Sequence, residues 1–127
     1  MQDRCTFEYA IIRVVPKVER EEFFNVGVIL FSKKKKFLGV HYHIDKTKLE
    51  AFCKDLEIGL LNEYLRAWNL ICEGSSLGGP IAKFELSDRF RWLAASRSTI
   101  IQSSKTHPGL CKDPKKELEH IFKKYVL

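Results

Sequence analysis

Apolar and polar positions in the first third of the chain repeat with a period of two. From Thr6 to Val15 almost every side chain favours a strand, with Phe7, Tyr9 and Ile11 on one face and Ala10, Ile12 and Val14 on the other. Apolar groups on both faces predict a central strand covered from both sides. Pro16 cannot donate to a sheet ladder, and the following Lys17-Val18-Glu19-Arg20-Glu21-Glu22 is too charged for an interior, so the strand ends in a surface loop. A second strand is predicted from about Phe24 to Ser32 and a third from Phe37 to Ile44. The lysines between them, Lys33 to Lys36, make a link short enough for an antiparallel hairpin.

The period then lengthens to about 3.6. Leu49, Phe52, Cys53 and Leu56 form one helical stripe with Asp45 placed to cap its start, and Leu61, Tyr64, Leu65, Trp68, Ile71 and Cys72 form another, with a break near Glu57 to Gly59. The segment from Gly74 to Pro80 is a loop. Beyond it, Ile81 to Leu86 alternates weakly as an edge strand, Ser87 or Asp88 is placed to cap a short helix through Ala95, and Thr99 to Gln102 suggests another strand. The clearest element is the last: Asp113 as N-cap and Pro114 at the first helical position precede Leu118, Ile121, Phe122, Tyr125 and Val126 at helical spacing.

Strands come first and helices follow without regular alternation, which predicts an α+β fold: an antiparallel sheet of about three to five strands with helices packed on it. At 127 residues one domain, 1–127, is expected. No stretch is long and apolar enough to span a membrane, and the start Met1-Gln2-Asp3-Arg4-Cys5 lacks the layout of a signal peptide, so a cytoplasmic protein without a membrane partner is expected. Cys5, Cys53, Cys72 and Cys111 contain no CxxC pair and are read as buried, reduced thiols. No GxGxxG or Walker-type loop follows a strand, so no nucleotide cofactor is expected.

The excess of 22 basic over 16 acidic residues, a net charge of +6, directs attention to anionic partners. Lys33, Lys34, Lys35 and Lys36 are candidates for nucleic-acid phosphates, though lysine at a hairpin tip also serves solubility. His41, His43 and Asp45 share one strand face and resemble a two-His-one-carboxylate set; alternation instead puts Val40, Tyr42 and Ile44 inward, leaving the histidines in solvent and no metal site. Ser103, Ser104 and His107 lie close in sequence but lack an orienting carboxylate, and Glu22 works with His107 as acid and base only if the fold joins them.

More informative are two segments whose polar residues are poorly explained as decoration. In Arg20-Glu21-Glu22-Phe23-Phe24-Asn25-Val26-Gly27 a carboxylate and an amide stand at the mouth of a strand, and Gly27 allows close approach of a backbone or ligand. In Arg89-Phe90-Arg91-Trp92 and Arg97-Ser98, guanidinium forks suited to carboxylates or phosphates flank an aromatic ring. Arg20, Glu22, Asn25, Arg89, Arg91, Arg97 and Ser98 are therefore the candidate binding residues. The plainer alternative pairs Glu22 with one of these arginines, or with Arg13, as a partly buried lock on the loop.

These two segments resemble a bacterial family catalogued as domain of unknown function 3037. The likeness rests on Arg13 to Pro16, on the pattern Arg20, Glu22, Phe23, Asn25, Gly27 and Val28, and on Arg89, Phe90, Trp92, Leu93, Arg97 and Ser98. The resemblance supplies no catalytic residues; it implies a small cytoplasmic protein, often encoded near kinases of the HipA type. A non-enzymatic binding or regulatory module for a protein partner is the expectation. An enzyme or binder acting on a phosphate-containing or nucleic-acid ligand through the Glu22, Asn25 and arginine cluster is the alternative.

Overall fold

The computed structural model describes residues 4–95 and 100–127. Strand β1 (Cys5–Val14) pairs antiparallel with β2 (Phe24–Ser32), and β2 turns through the lysines into β3 (Phe37–Tyr42). Two further strands lie on the other side of β1: β4 (Ile101–Ser103) along its C-terminal end and β5 (His107–Cys111) along its N-terminal end. The order is β3-β2-β1-β4, with β5 also on β1, so β1 is central as its two-sided apolar pattern requires.

Each face of β1 founds its own core. Ala10, Ile12 and Val14, with Ile29 and Phe31 of β2, meet α1 (Lys46–Phe52), α2 (Ile58–Glu73) and α3 (Leu86–Ala94) through Leu49, Leu61, Leu65, Trp68, Phe90 and Leu93. On the opposite face Phe7, Ile11, Val28 and Leu30 meet α4 (Pro114–Tyr125) through Leu118, Ile121 and Phe122. The described residues thus form a three-layer α+β domain with three α-helices on one side of an antiparallel sheet and one on the other.

Local chemistry sets most boundaries. Asp45 Oδ1 accepts from Lys48 N at 3.0 Å at the start of α1, and Asp113 Oδ1 accepts from Lys115 N at 3.0 Å beside Pro114 at the start of α4. Helix α2 ends on Gly74 in left-handed backbone, where Ser75 N donates to Leu70 O and Gly74 N to Ile71 O.

Several expectations need correction. Ile81 to Leu86 is no strand: Pro80 presets a helical φ, Pro80–Lys83 closes as a 3-10 turn, and α3 begins at Leu86 with Glu85, rather than Ser87 or Asp88, at its N-cap. The interruption between the first two helices precedes Ile58, so Gly59 lies inside α2. The third strand stops at Tyr42, although His43 N still donates to Val26 O at 2.8 Å. The fourth strand falls on Ile101–Ser103, and Thr99 lies outside the described residues. Strand β5 was unexpected because Pro108 and Gly109 argue against one; both are tolerable in a strand that among the described residues pairs with β1 alone, and the Phe7 ring lies where a Gly109 side chain would start. Cys53 sits half-buried at the end of α1, whereas Cys5, Cys72 and Cys111 are buried; all four thiols are free.

Candidate functional site

The β1–β2 connection gathers the most distinctive polar groups. It makes a 3-10 turn at Val18–Arg20 and passes through left-handed backbone at Glu21, φ 55°, uncommon for a residue with a Cβ. That reversal returns Glu22 to Arg20, whose Nε donates to Glu22 Oε1 at 2.5 Å. The two side chains are 62% and 52% exposed, so Glu22 is not the partly buried lock that the sequence suggested. Solvent-exposed pairs are worth at most about 1 kcal/mol. Glu22→Gln should therefore change the free energy of unfolding by less than about 1 kcal/mol, read from the urea midpoint at constant m-value.

Two shallow hollows flank Glu22. One, of about 190 Å³, is walled by Pro16, Lys17, Arg20, Phe52 and Cys53. The other, of about 210 Å³, is walled by Arg13, Val15, Glu21, Phe23, Gln102 and Ser103. At this level the β1–β2 ladder carries a bulge: Ile12 faces Gly27 while Arg13 faces Asn25, and the extra residue, Val26, turns into the helical core.

Arg13 and Asn25 are therefore cross-strand neighbours at the open end of the α4 face. The Arg13 guanidinium lies 4.0 Å from the centre of the Phe23 ring, which is itself 46% exposed. Asn25 Nδ2 donates to Tyr125 O at 3.2 Å, tying β2 to the end of α4. Arg13 Nε and Asn25 Oδ1 are both buried without a hydrogen-bond partner among the described residues. Beneath them, burial and the neighbouring Tyr125 raise the pKa of Tyr9, so its phenol stays protonated at neutral pH.

The second candidate segment does not join this group. Arg89 Nη1 donates to Ile71 O at 2.9 Å and Cys72 O at 3.1 Å, neutralising the carbonyl end of α2. Arg91 reaches Glu8 Oε2 at 3.8 Å on the surface. Arg97 and Ser98 lie outside the described residues. Of the predicted site residues, then, Arg20, Glu22 and Asn25 assemble at one pole, and Arg89 and Arg91 make their contacts elsewhere. Sequence reasoning passed over Arg13 and Phe23 as site residues; the signal was there, since Arg13 is the cation in an otherwise apolar stretch of β1.

The remaining candidates have structural partners. His41 stacks on Phe122 with centroids 3.9 Å apart, His43 is exposed, Asp45 caps α1, and Val40, Tyr42 and Ile44 pack inward as alternation requires. Among the described residues no three metal-ligating side chains converge. Ser104 Oγ accepts from Ile11 N at 2.8 Å and donates to Lys105 O, closing the gap between β4 and β5. His107 rests on the Tyr9 ring while Glu22 turns back to Arg20, so the two members of the proposed acid–base pair make their contacts with different partners. Burial pushes the Cys72 thiol up to about 12 despite nearby Arg89, leaving it a protonated core group at neutral pH. Lys33 to Lys36 are exposed at the hairpin tip.

No curated protein and no solved structure matches the chain. One family model does, over residues 9–126, and it takes in the β1–β2 pole together with both helical layers. The chain therefore belongs to the family described as protein of unknown function (DUF3037).

Proposed function

We propose that the protein is a binding module that engages a protein partner through the β1–β2 pole, with Phe23 and Arg13 at the centre and Arg20, Glu22 and Asn25 around them. The observation that carries this reading is a half-exposed aromatic ring stacked on an arginine whose buried Nε has no acceptor among the described residues. Arginine and aromatic side chains dominate the centres of protein interfaces, and exposed ion pairs such as Arg20–Glu22 suit the rim, where they steer association. A phosphate ligand at the same pole is the weaker reading, because Glu21 and Glu22 stand beside Arg13 and Arg20 and repel an anion. In this reading the protein works in the bacterial cytoplasm, where its free thiols stay reduced.

A kinase of the HipA type, the class suggested by the family resemblance, is the partner to titrate first by calorimetry. Phe23→Ser should weaken the complex by roughly thirtyfold, the scale of a central interface residue, while leaving thermal unfolding unchanged. Binding that ignores Phe23→Ser sinks the proposed surface, and absence of any complex sinks the proposed partner class. Tight binding of an RNA oligonucleotide or polyphosphate through the same residues moves the assignment to the anionic ligand.

A further inference from the structure

Strand β3 ends the sheet, and among the described residues no strand pairs with its outer edge. That edge forms the floor of a groove of about 440 Å³ running from Phe37 to His41 between two walls, Asn69 to Glu73 of α2 and Lys115 to Glu119 of α4. The ladder fixes which backbone groups face the groove. His43 N donates to Val26 O, and in an antiparallel pair inward-bonded positions recur every second residue, at His41, Gly39 and Phe37. The N–H and C=O groups of Leu38, Val40 and Tyr42 consequently point outward. Their side chains pack in the helical core, so the edge offers a row of donors and acceptors fixed in place.

We infer that this edge is a docking groove for an extended partner peptide, added to the sheet as a further strand and acidic at the end that lies against the hairpin tip. Backbone complementarity selects an extended occupant, because only a strand matches outward groups at that spacing. Charge selects its sequence: Lys33 to Lys36 lead directly into β3 and Lys115 stands on the wall, together outnumbering Glu73 and Glu119. The same charges oppose a second copy of the chain. Antiparallel pairing of β3 with itself would carry Lys33 to Lys36 of each copy towards the segment beyond Tyr42 of the other, where Lys46 and Lys48 outnumber Asp45. The groove is distinct from the β1–β2 pole and does not depend on the role given to Phe23.

The test uses the whole protein and labelled eight-residue peptides of alternating valine and threonine with a three-glutamate tail at either end, plus lysine-tailed counterparts. Fluorescence anisotropy reads affinity, and amide hydrogen exchange reads the edge. One glutamate-tailed peptide should bind and slow exchange at Leu38, Val40 and Tyr42. Val40→Pro removes an outward N–H without breaking an inward bond, so it should weaken binding roughly tenfold while circular dichroism stays unchanged. If that variant fails to fold, the exposed quadruple change of Lys33 to Lys36 to glutamine serves instead, and should weaken the glutamate-tailed peptide and flatten its salt dependence. Phe23→Ser should change nothing. No binding at low salt, binding indifferent to Val40→Pro, or equal affinity for lysine tails overturns the inference. So does a dimer of the protein alone, seen by sedimentation and dissolved by Val40→Pro, which would give the edge to a second copy.

Discussion

Phe90→Ala should lower the free energy of unfolding by about 3 to 5 kcal/mol, close to the range set by emptying a large, well-packed aromatic site. Phe90 is fully buried and stacks on Phe31 of β2 with centroids 5.4 Å apart and planes 22° from parallel. The ring joins two layers, since α3 meets the sheet through it and through Leu93. Close-packed interiors relax only partly around a deletion, so the cavity term adds to the lost transfer energy. Trp92, two residues on and 45% exposed, supplies the control: Trp92→Ala should cost less than about 1 kcal/mol. Urea unfolding with unchanged m-values checks both. A loss below about 1 kcal/mol at Phe90 would mean that α3 does not dock on β2 through this ring.

The Arg89-Phe90-Arg91-Trp92 segment also shows where sequence patterns mislead. Read as a string, it places two cations and two aromatic rings together and suggests a pocket for an anion. A helix distributes neighbouring residues to different faces, so Phe90 enters the core, Arg89 turns to the carbonyl end of α2, and Arg91 reaches Glu8. The first half of the chain was more legible, because strand alternation assigns each residue to one of two faces and the lysine turn fixes the hairpin. The start of α4 followed from Asp113 and Pro114, and the two sides of β1 from its two apolar rows. Long-range partners were not legible. Nothing local says that Ser104 would bond to Ile11, that Pro108 would lie in a strand, or that left-handed backbone at Glu21 would return Glu22 to Arg20 and leave it exposed. The lone cation Arg13 was visible in the apolar run of β1, but its neighbours were not: the bulge sets it opposite Asn25, and the Phe23 ring packs against its guanidinium.

Gly27→Val separates scaffold from surface within the pattern Arg20, Glu22, Phe23, Asn25, Gly27, Val28. Gly27 faces Tyr42 across the hairpin, and a Cβ there would lie 2.9 Å from His41 O, 2.9 Å from Tyr42 Cβ and 3.2 Å from Ile12 Cδ1. Two of those atoms belong to the β3 backbone or its first side-chain carbon and cannot swing aside, so the strands must part. Replacing a strand glycine usually gains some stability from the less flexible unfolded chain, but an overpacked site costs more, and the net loss should be about 3 kcal/mol. Because the clash falls between β2 and β3, amide exchange at His41 and His43 should accelerate more than exchange in β5. Asn25→Ala should behave differently. It removes one bond to Tyr125 O, worth about 1 kcal/mol, yet also removes a buried oxygen without a partner, so the two effects oppose and stability should hardly move. Partner binding is then the readout for Asn25, and stability the readout for Gly27. A stable Gly27→Val protein that no longer binds would assign Gly27 to the recognition surface, and a strongly destabilised Asn25→Ala protein would return Asn25 to the scaffold.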